Sequence, residues 1–226
     1  MSDRTAGLVV FDLDGTLIDS ATDIAAAASA LVVECGGRAL TRTEVVAMVG
    51  EGAAVLVRRA LTAAGLDPAT PRATERYLEI YSERMFDHTG LYPGMKAALG
   101  ALDPLATLAV LTNKAHAPSE RLLEALGVRR HFIEVVGGDG RWPRKPDPGG
   151  LMALRVHAGG GPVVMVGDSP VDAEVAARAG TAFVLARYGF GAAGFATLPL
   201  PAFVAEAAPD LPRVIAAARR AATLRT

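Results

Sequence analysis

Two carboxylates, Asp12 and Asp14, follow the apolar run Leu8-Val9-Val10-Phe11, with Gly15 and Thr16 directly behind them. A carboxylate pair suits a metal site, provided the scaffold holds it where ligands bind. The short β-rich run reads as a buried strand, which puts Asp12 at its carboxyl end. In an open parallel sheet ligands bind at that end, where the connections reverse direction. Two plainer readings compete. An Asp after a strand commonly caps a turn or a helix. A calcium loop needs Gly at its sixth position and Glu at its twelfth. Counted from Asp12 those positions hold Leu17 and Asp23, so that reading fails.

The choice between capping and chemistry comes from three further groups. Thr112-Asn113-Lys114 follows the apolar run Leu108 to Leu111, and Gly167-Asp168-Ser169-Pro170-Val171-Asp172 follows Val163 to Val166. Lys145, in Arg144-Lys145-Pro146, lies in the loop Gly140 to Pro148. Singly each has an ordinary explanation: Thr and Asn cap helices, a lysine is commonly a solvated charge, and Gly-Asp-Ser makes a turn. Parallel strands point the same way, so their carboxyl ends share one edge. The polar groups therefore meet, and their recurrence at successive strand ends favours chemistry.

The elements that must position them fall into two patterns. From Asp23 to about Thr89 the sequence reads as helical throughout. Helices are expected over Asp23 to Glu34, from Thr41 or Thr43 with Glu44 completing a capping box, over Ala53 to Ala64, and over Pro71 to Phe86. From Leu91 onward strands alternate with helices: strands over 108–111, 132–136, 163–166 and 182–185, with a helix that has Pro118 in its first turn and Gly127 at its end, and helices near 151–158, over 171–179 and from about 211 to 223. Such alternation gives an α/β fold, a doubly wound, Rossmann-like parallel sheet, with an all-helical cap inserted after the first strand. The expected core is 1–20 and 92–226, and the expected cap is 21–91.

The totals agree with a soluble globular protein. The 226 residues allow one large domain or a core with a smaller insertion. Hydrophobic residues are 51%, charged residues 21%, and the net charge is −1, without the basic clustering of a nucleic-acid binder. Met1 to Gly7 lacks signal-peptide form, and no apolar run reaches membrane-spanning length. One cysteine, Cys35, allows no intrachain disulfide, which fits a reducing compartment and a cytoplasmic protein.

Taken in order and spacing, Asp12-Leu13-Asp14-Gly15-Thr16, Leu111-Thr112-Asn113-Lys114, Lys145-Pro146-Asp147-Pro148 and Gly167-Asp168-Ser169-Pro170-Val171-Asp172 resemble the haloacid dehalogenase superfamily, and within it the phosphoglycolate phosphatase group. The resemblance spans nearly the whole chain. It implies that Asp12 attacks phosphorus to form a covalent intermediate, replacing one hard displacement by two easier ones. It implies Mg2+ as cofactor, held by the carboxylates of Asp12 and Asp168 and the backbone carbonyl of Asp14. Lys145 would neutralise the phosphate and the nucleophile. Thr112 and the backbone beside Asn113 would bind the transferring phosphoryl group, and Asp172 would orient Lys145 or the metal's waters. Asp14 would protonate the leaving oxygen and later deprotonate the attacking water. Family members that dehalogenate lack this second Asp. Members that break carbon–phosphorus bonds use a cap lysine, whereas the lysines here are Lys96, Lys114 and Lys145, outside the cap.

In the cap, Val49-Gly50-Glu51-Gly52 with Arg58-Arg59 resembles the substrate-facing part of phosphoglycolate phosphatases, and Gly50 and Arg59 are candidate substrate contacts. A helix break between two amphipathic helices explains the same glycines. Glu51 stands where a substrate carboxylate is expected and would repel it if it pointed inward. The expected partner is a small phosphorylated metabolite, most simply 2-phosphoglycolate, acted on by a monomer or homodimer. A sugar-phosphate phosphatase or phosphomutase is the alternative. A non-catalytic phospho-receiver would need neither the cap nor an acid placed like Asp14.

Overall fold

Val9 and Phe11 pack on one face of a sheet and Leu8 and Val10 on the other, all four fully buried. Side chains alternate along a strand, so a strand covered on both faces must be apolar throughout. The computed structural model describes residues 7–223. The reading of Met1 to Gly7 therefore lies, Gly7 apart, outside the described residues, as do positions 224–226.

The chain runs β1 (Leu8–Phe11), β2 (Ile18–Asp19), α1 (Ala21–Glu34), α2 (Arg42–Val46), α3 (Ala53–Ala63), α4 (Ala73–Arg84), β3 (Gly90–Leu91), α5 (Met95–Leu102) and β4 (Thr107–Leu111). It continues through α6 (His116–Ala125), β5 (Phe132–Val136), α7 (Gly149–His157), β6 (Val163–Gly167), α8 (Pro170–Arg178), β7 (Ala182–Ala186), β8 (Val204–Ala205) and α9 (Leu211–Thr223). Six strands form one parallel sheet in the order β5-β4-β1-β6-β7-β8. The doubly wound α/β class expected from the alternation is thus present. Connections from β1 lead one way to β4 and β5, and those from β6 lead the other way, so the switch point lies between β1 and β6.

Register levels the strand ends. Phe11 sits opposite both Val110 and Val166, and Leu111 sits opposite Val136. Asp12, Thr112 and Asp168 each follow the last residues of these strands, so all three emerge along one edge.

The helical segment is inserted between β1 and β4, and the two-residue strands β2 and β3 pair antiparallel, Ile18 with Leu91 and Asp19 with Gly90. The stretch from Asp23 to about Thr89 is helical as expected, and the ribbon flanks it at both ends, where two-residue strands carry no periodicity for sequence reading to find. The helix expected from Pro71 starts instead at Ala73, because Arg72 adopts the left-handed region with φ 60°. At α2 the expected capping box of Thr41 and Glu44 is formed, which satisfies orphan donors at the helix start.

Asp23 of α1 clasps the outgoing chain. Its buried carboxylate accepts hydrogen bonds from the backbone N–H groups of His88 (3.0 Å) and Thr89 (2.8 Å) and from Thr89 Oγ1 (2.7 Å), and it lies 2.9 Å from His88 Nδ1. Burial pushes its pKa up, but the hydrogen bonds from Thr89 and His88 outweigh this and hold it below the ordinary 3.8. A depressed acid stabilises the fold above its unfolded pKa, and that contribution is lost as pH falls through the folded value. Asp23→Ala is therefore expected to cost about 3 kcal/mol at pH 7 and progressively less below pH 3.8. Urea unfolding of both proteins at pH 7 and at acid pH measures the difference.

Candidate active site

Asp12 continues the sheet by donating its N–H to Val166 O (2.9 Å), which fixes the backbone at the carboxyl end of β1. Its carboxylate is buried. Lys145 Nζ lies 2.8 Å from Asp12 Oδ1 and donates to Asp172 Oδ1 at 2.6 Å. The first contact is an ion pair, and the ammonium bridges the two carboxylates. Asp172 is held by its other oxygen, which accepts from Ser169 N (3.0 Å) and Ser169 Oγ (2.7 Å) at the start of α8. Asp168 accepts from Gly191 N (2.7 Å) and, at 3.4 Å, from Thr16 Oγ1.

These acids press on one another. One carboxylate oxygen from each of Asp12, Asp168 and Asp172 falls within a 4.8 Å cluster. Burial pushes the Asp12 pKa up, Lys145 opposes this, Asp172 adds to it, and the result is about 6. Burial, with Asp172 and Asp12 nearby, also holds Asp168 well above the ordinary 3.8. Burial pulls the Lys145 pKa down, but Asp12 and Asp172 outweigh it and raise it above its ordinary value. One lysine thus faces three buried carboxylates, a donor set of hard oxygens with charge to spare for a divalent cation.

Gly15 allows the approach of Asp168. Its φ is +85°, and a Cβ there would lie 1.9 Å from Asp168 Oδ2. The adjacent Asp14 points its carboxylate elsewhere, accepting from Ser20 Oγ (2.6 Å) and from Lys114 Nζ (3.1 and 3.2 Å). Thr112 is buried, and its Oγ1 accepts from Lys114 N at 3.2 Å. Asn113 ties the loops together: its Nδ2 donates to Gly50 O (2.9 Å) and to Lys145 O (3.0 Å).

A cavity of about 220 Å³ opens over this edge. Asp12, Asp14, Thr112, Asn113 and Asp168 line it from the sheet side, and Gly50 lines it from the helical side. Lys145 lies beneath, not in the wall. Arg59 stands apart from its expected place: it ion-pairs with Glu51 at the protein surface, donates to Met48 O at 3.2 Å, and does not line the cavity. Glu51 likewise is absent from the wall, so the feared repulsion of an anionic ligand does not arise. Sequence reading left Lys114, Ser20 and Gly191 without a role. Lys114 was visible beside Asn113, but nothing in the sequence told its depth.

Residues 9–186 match the family model described as haloacid dehalogenase-like hydrolase. The chain belongs to that family. A phosphoglycolate phosphatase of Rhodospirillum rubrum is 40% identical to this hydrolase over 200 residues, covering 84% of this chain and 83% of the relative. One from Chromobacterium violaceum is 39% identical over 189 residues, covering 80% and 85%. A crystal structure from Haemophilus somnus, described as a predicted phosphoglycolate phosphatase, superposes with a TM-score of 0.82 at 27% identity, covering 95% of this chain and all of the other. The hydrolase therefore falls in the phosphoglycolate phosphatase group, among the phosphoric monoester hydrolases.

Proposed function

We propose that the hydrolase converts 2-phosphoglycolate to glycolate and phosphate, with Mg2+ as cofactor and Asp12 as nucleophile. The observation that carries this reading is the placement of Asp12 at the switch point, buried beside Lys145 and Asp168, with Asp14 in the same cavity wall. Three buried carboxylates facing one lysine fit a cation held by Asp12 and Asp168, with the Asp14 carbonyl as the third protein ligand. Asp172 is already engaged by Lys145 and Ser169 and serves to orient Lys145. When bound, Mg2+ would offset the repulsion between the carboxylate and the phosphate.

In this reading an Asp12 carboxylate oxygen attacks phosphorus, and the bond from phosphorus to the glycolate oxygen breaks. Asp14 gives that oxygen its proton. Water then attacks the aspartyl phosphate, Asp14 takes its proton, and phosphate leaves with Asp12 restored. Lys145 and Thr112 stabilise charge on the phosphoryl oxygens, with backbone N–H groups beside Asn113 assisting. The division falls at the β2–β3 ribbon, giving a core of 1–20 and 92–226 and a cap of 21–91, with Gly50 presented to the substrate. The small cavity suits a metabolite well below drug size. Among the described residues no helix is long and apolar enough to cross a membrane. A cytoplasmic monomer or homodimer acting without nucleic acid completes the reading.

The test is a screen with Mg2+ that measures released phosphate and residual sugar isomers. The expected result is a kcat/KM for 2-phosphoglycolate well above that for hexose phosphates, with glycolate and phosphate formed in equal amounts. Equal turnover of sugar phosphates, or isomerised sugar phosphate without release of inorganic phosphate, would sink it in favour of a sugar phosphatase or a phosphomutase.

A further inference from the structure

The cavity wall holds four acids, Asp12, Asp14, Asp139 and Asp168, against two bases, Lys114 and Arg144. On the substrate reading above, on which this inference rests, the ligand carries a second anionic group besides its phosphate. In 2-phosphoglycolate the carboxylate carbon is only two bonds from the ester oxygen that Asp14 protonates. Whatever binds that carboxylate must therefore stand directly beside Asp14.

Lys114 does. Its Nζ is 3.1 and 3.2 Å from the two Asp14 oxygens and 4.3 Å from the ring centre of Tyr81 of α4, on the helical side of the cavity. Its side chain is 9% exposed, so its charge acts with little screening. An ammonium has three donors pointing in different directions, and contacts to one carboxylate leave capacity for a second. The Tyr81 hydroxyl is buried beside it, a second polar group at the same place on the helical side. Arg144 is placed differently. It is exposed, its Nε donates to Gly138 O at 2.8 Å, and its guanidinium is close enough that a Cβ on Gly52 would lie 3.3 Å from it. It closes the rim against the Gly50–Gly52 turn. Arg59, the cation expected for this task from the sequence, is neutralised by Glu51 outside the wall.

We propose that Lys114 selects the substrate's carboxylate, so that specificity for a small acid phosphate is read from the core beside the acid/base, not from the arginines of the helical segment. The test compares kcat/KM for 2-phosphoglycolate and for 2-hydroxyethyl phosphate, in which a hydroxymethyl group replaces the carboxylate, on one preparation of each protein. Partial misfolding lowers both values equally and cancels in their ratio. Lys114→Met is expected to lower the ratio by about 30-fold, chiefly through KM for the acid substrate, as loss of a charge-assisted contact predicts. Arg144→Met is expected to change the ratio by less than about threefold. Lys114→Gln keeps a donor toward Asp14 without the charge and should behave as Lys114→Met, which covers the case in which methionine is not tolerated. A wild-type enzyme with no preference for the acid would overturn the substrate reading and this assignment with it. A wild-type preference that survives in both Lys114 variants would leave the substrate standing and overturn the assignment alone.

Discussion

Asp12→Asn is expected to lower kcat by at least about 10⁴-fold and, at the same time, to make the metal-free protein more stable at pH 8. On the proposed mechanism the first effect follows from loss of the nucleophile, because an amide oxygen cannot form the covalent intermediate. The second follows from burial. The Asp12 pKa stands near 6 in the fold against 3.8 unfolded. Below pH 3.8 both states are protonated and the position is neutral in effect. Between the two values the folded state binds more protons than the unfolded state, so stability falls as pH rises, and above about 6 the full penalty applies. Asn mimics the protonated acid and escapes this cost, a gain of about 3 kcal/mol. Chelator-treated protein, unfolded in urea at pH 4 and pH 8, should show the variant's advantage only at the higher pH. An equal advantage at both would mean that the burial of Asp12 costs nothing, and near-wild-type turnover would refute the nucleophile.

Lys145→Met should do the opposite to stability. Two buried carboxylates, Asp12 and Asp172, lose the ammonium that lies 2.8 and 2.6 Å away. Breaking a buried pair from one side leaves the other charge uncompensated, at about 3–5 kcal/mol. Activity should fall by about 10³-fold, since a preorganised cation near the reacting oxygens is worth about that much. The loss should appear in both KM and kcat. Because Asp12 and Lys145 touch, the effects are coupled. The double variant Asp12→Asn with Lys145→Met should be more stable than Lys145→Met alone, and a double-mutant cycle in urea measures that coupling. Additive effects would show that the pair is not the unit described.

How much of this was legible in the sequence differs by residue. β1, β4 and β6 announced themselves as apolar runs because both faces of the sheet are covered, and Thr41 with Glu44 announced the start of α2 by local chemistry alone. The convergence of Asp12, Thr112 and Asp168 followed from topology, since parallel strands must end together. What stayed hidden depended on orientation across long sequence separations. Arg59 and Glu51 looked like a cation and a rival for one ligand, whereas a tertiary turn pairs them with each other at the surface. Lys114 stood beside Asn113 without a role, and the packing of Tyr81 over it shows it to be enclosed. Asp23 entered only as the start of an expected helix. Its four contacts lie 65 and 66 positions along the chain, beyond any local signal.

The ribbon of Ile18–Asp19 with Gly90–Leu91 brings the two ends of the helical segment side by side, within the spacing of neighbouring strands, about 4.8 Å. A segment attached in this way leaves the sheet unaware of its length. It can be lengthened, shortened or exchanged for another without altering the register of any parallel strand or the position of Asp12, Thr112 or Asp168. Lys114 travels with the sheet, so on the assignment proposed above a graft of foreign helices would bring a new wall but leave the partner for the substrate's acid unchanged.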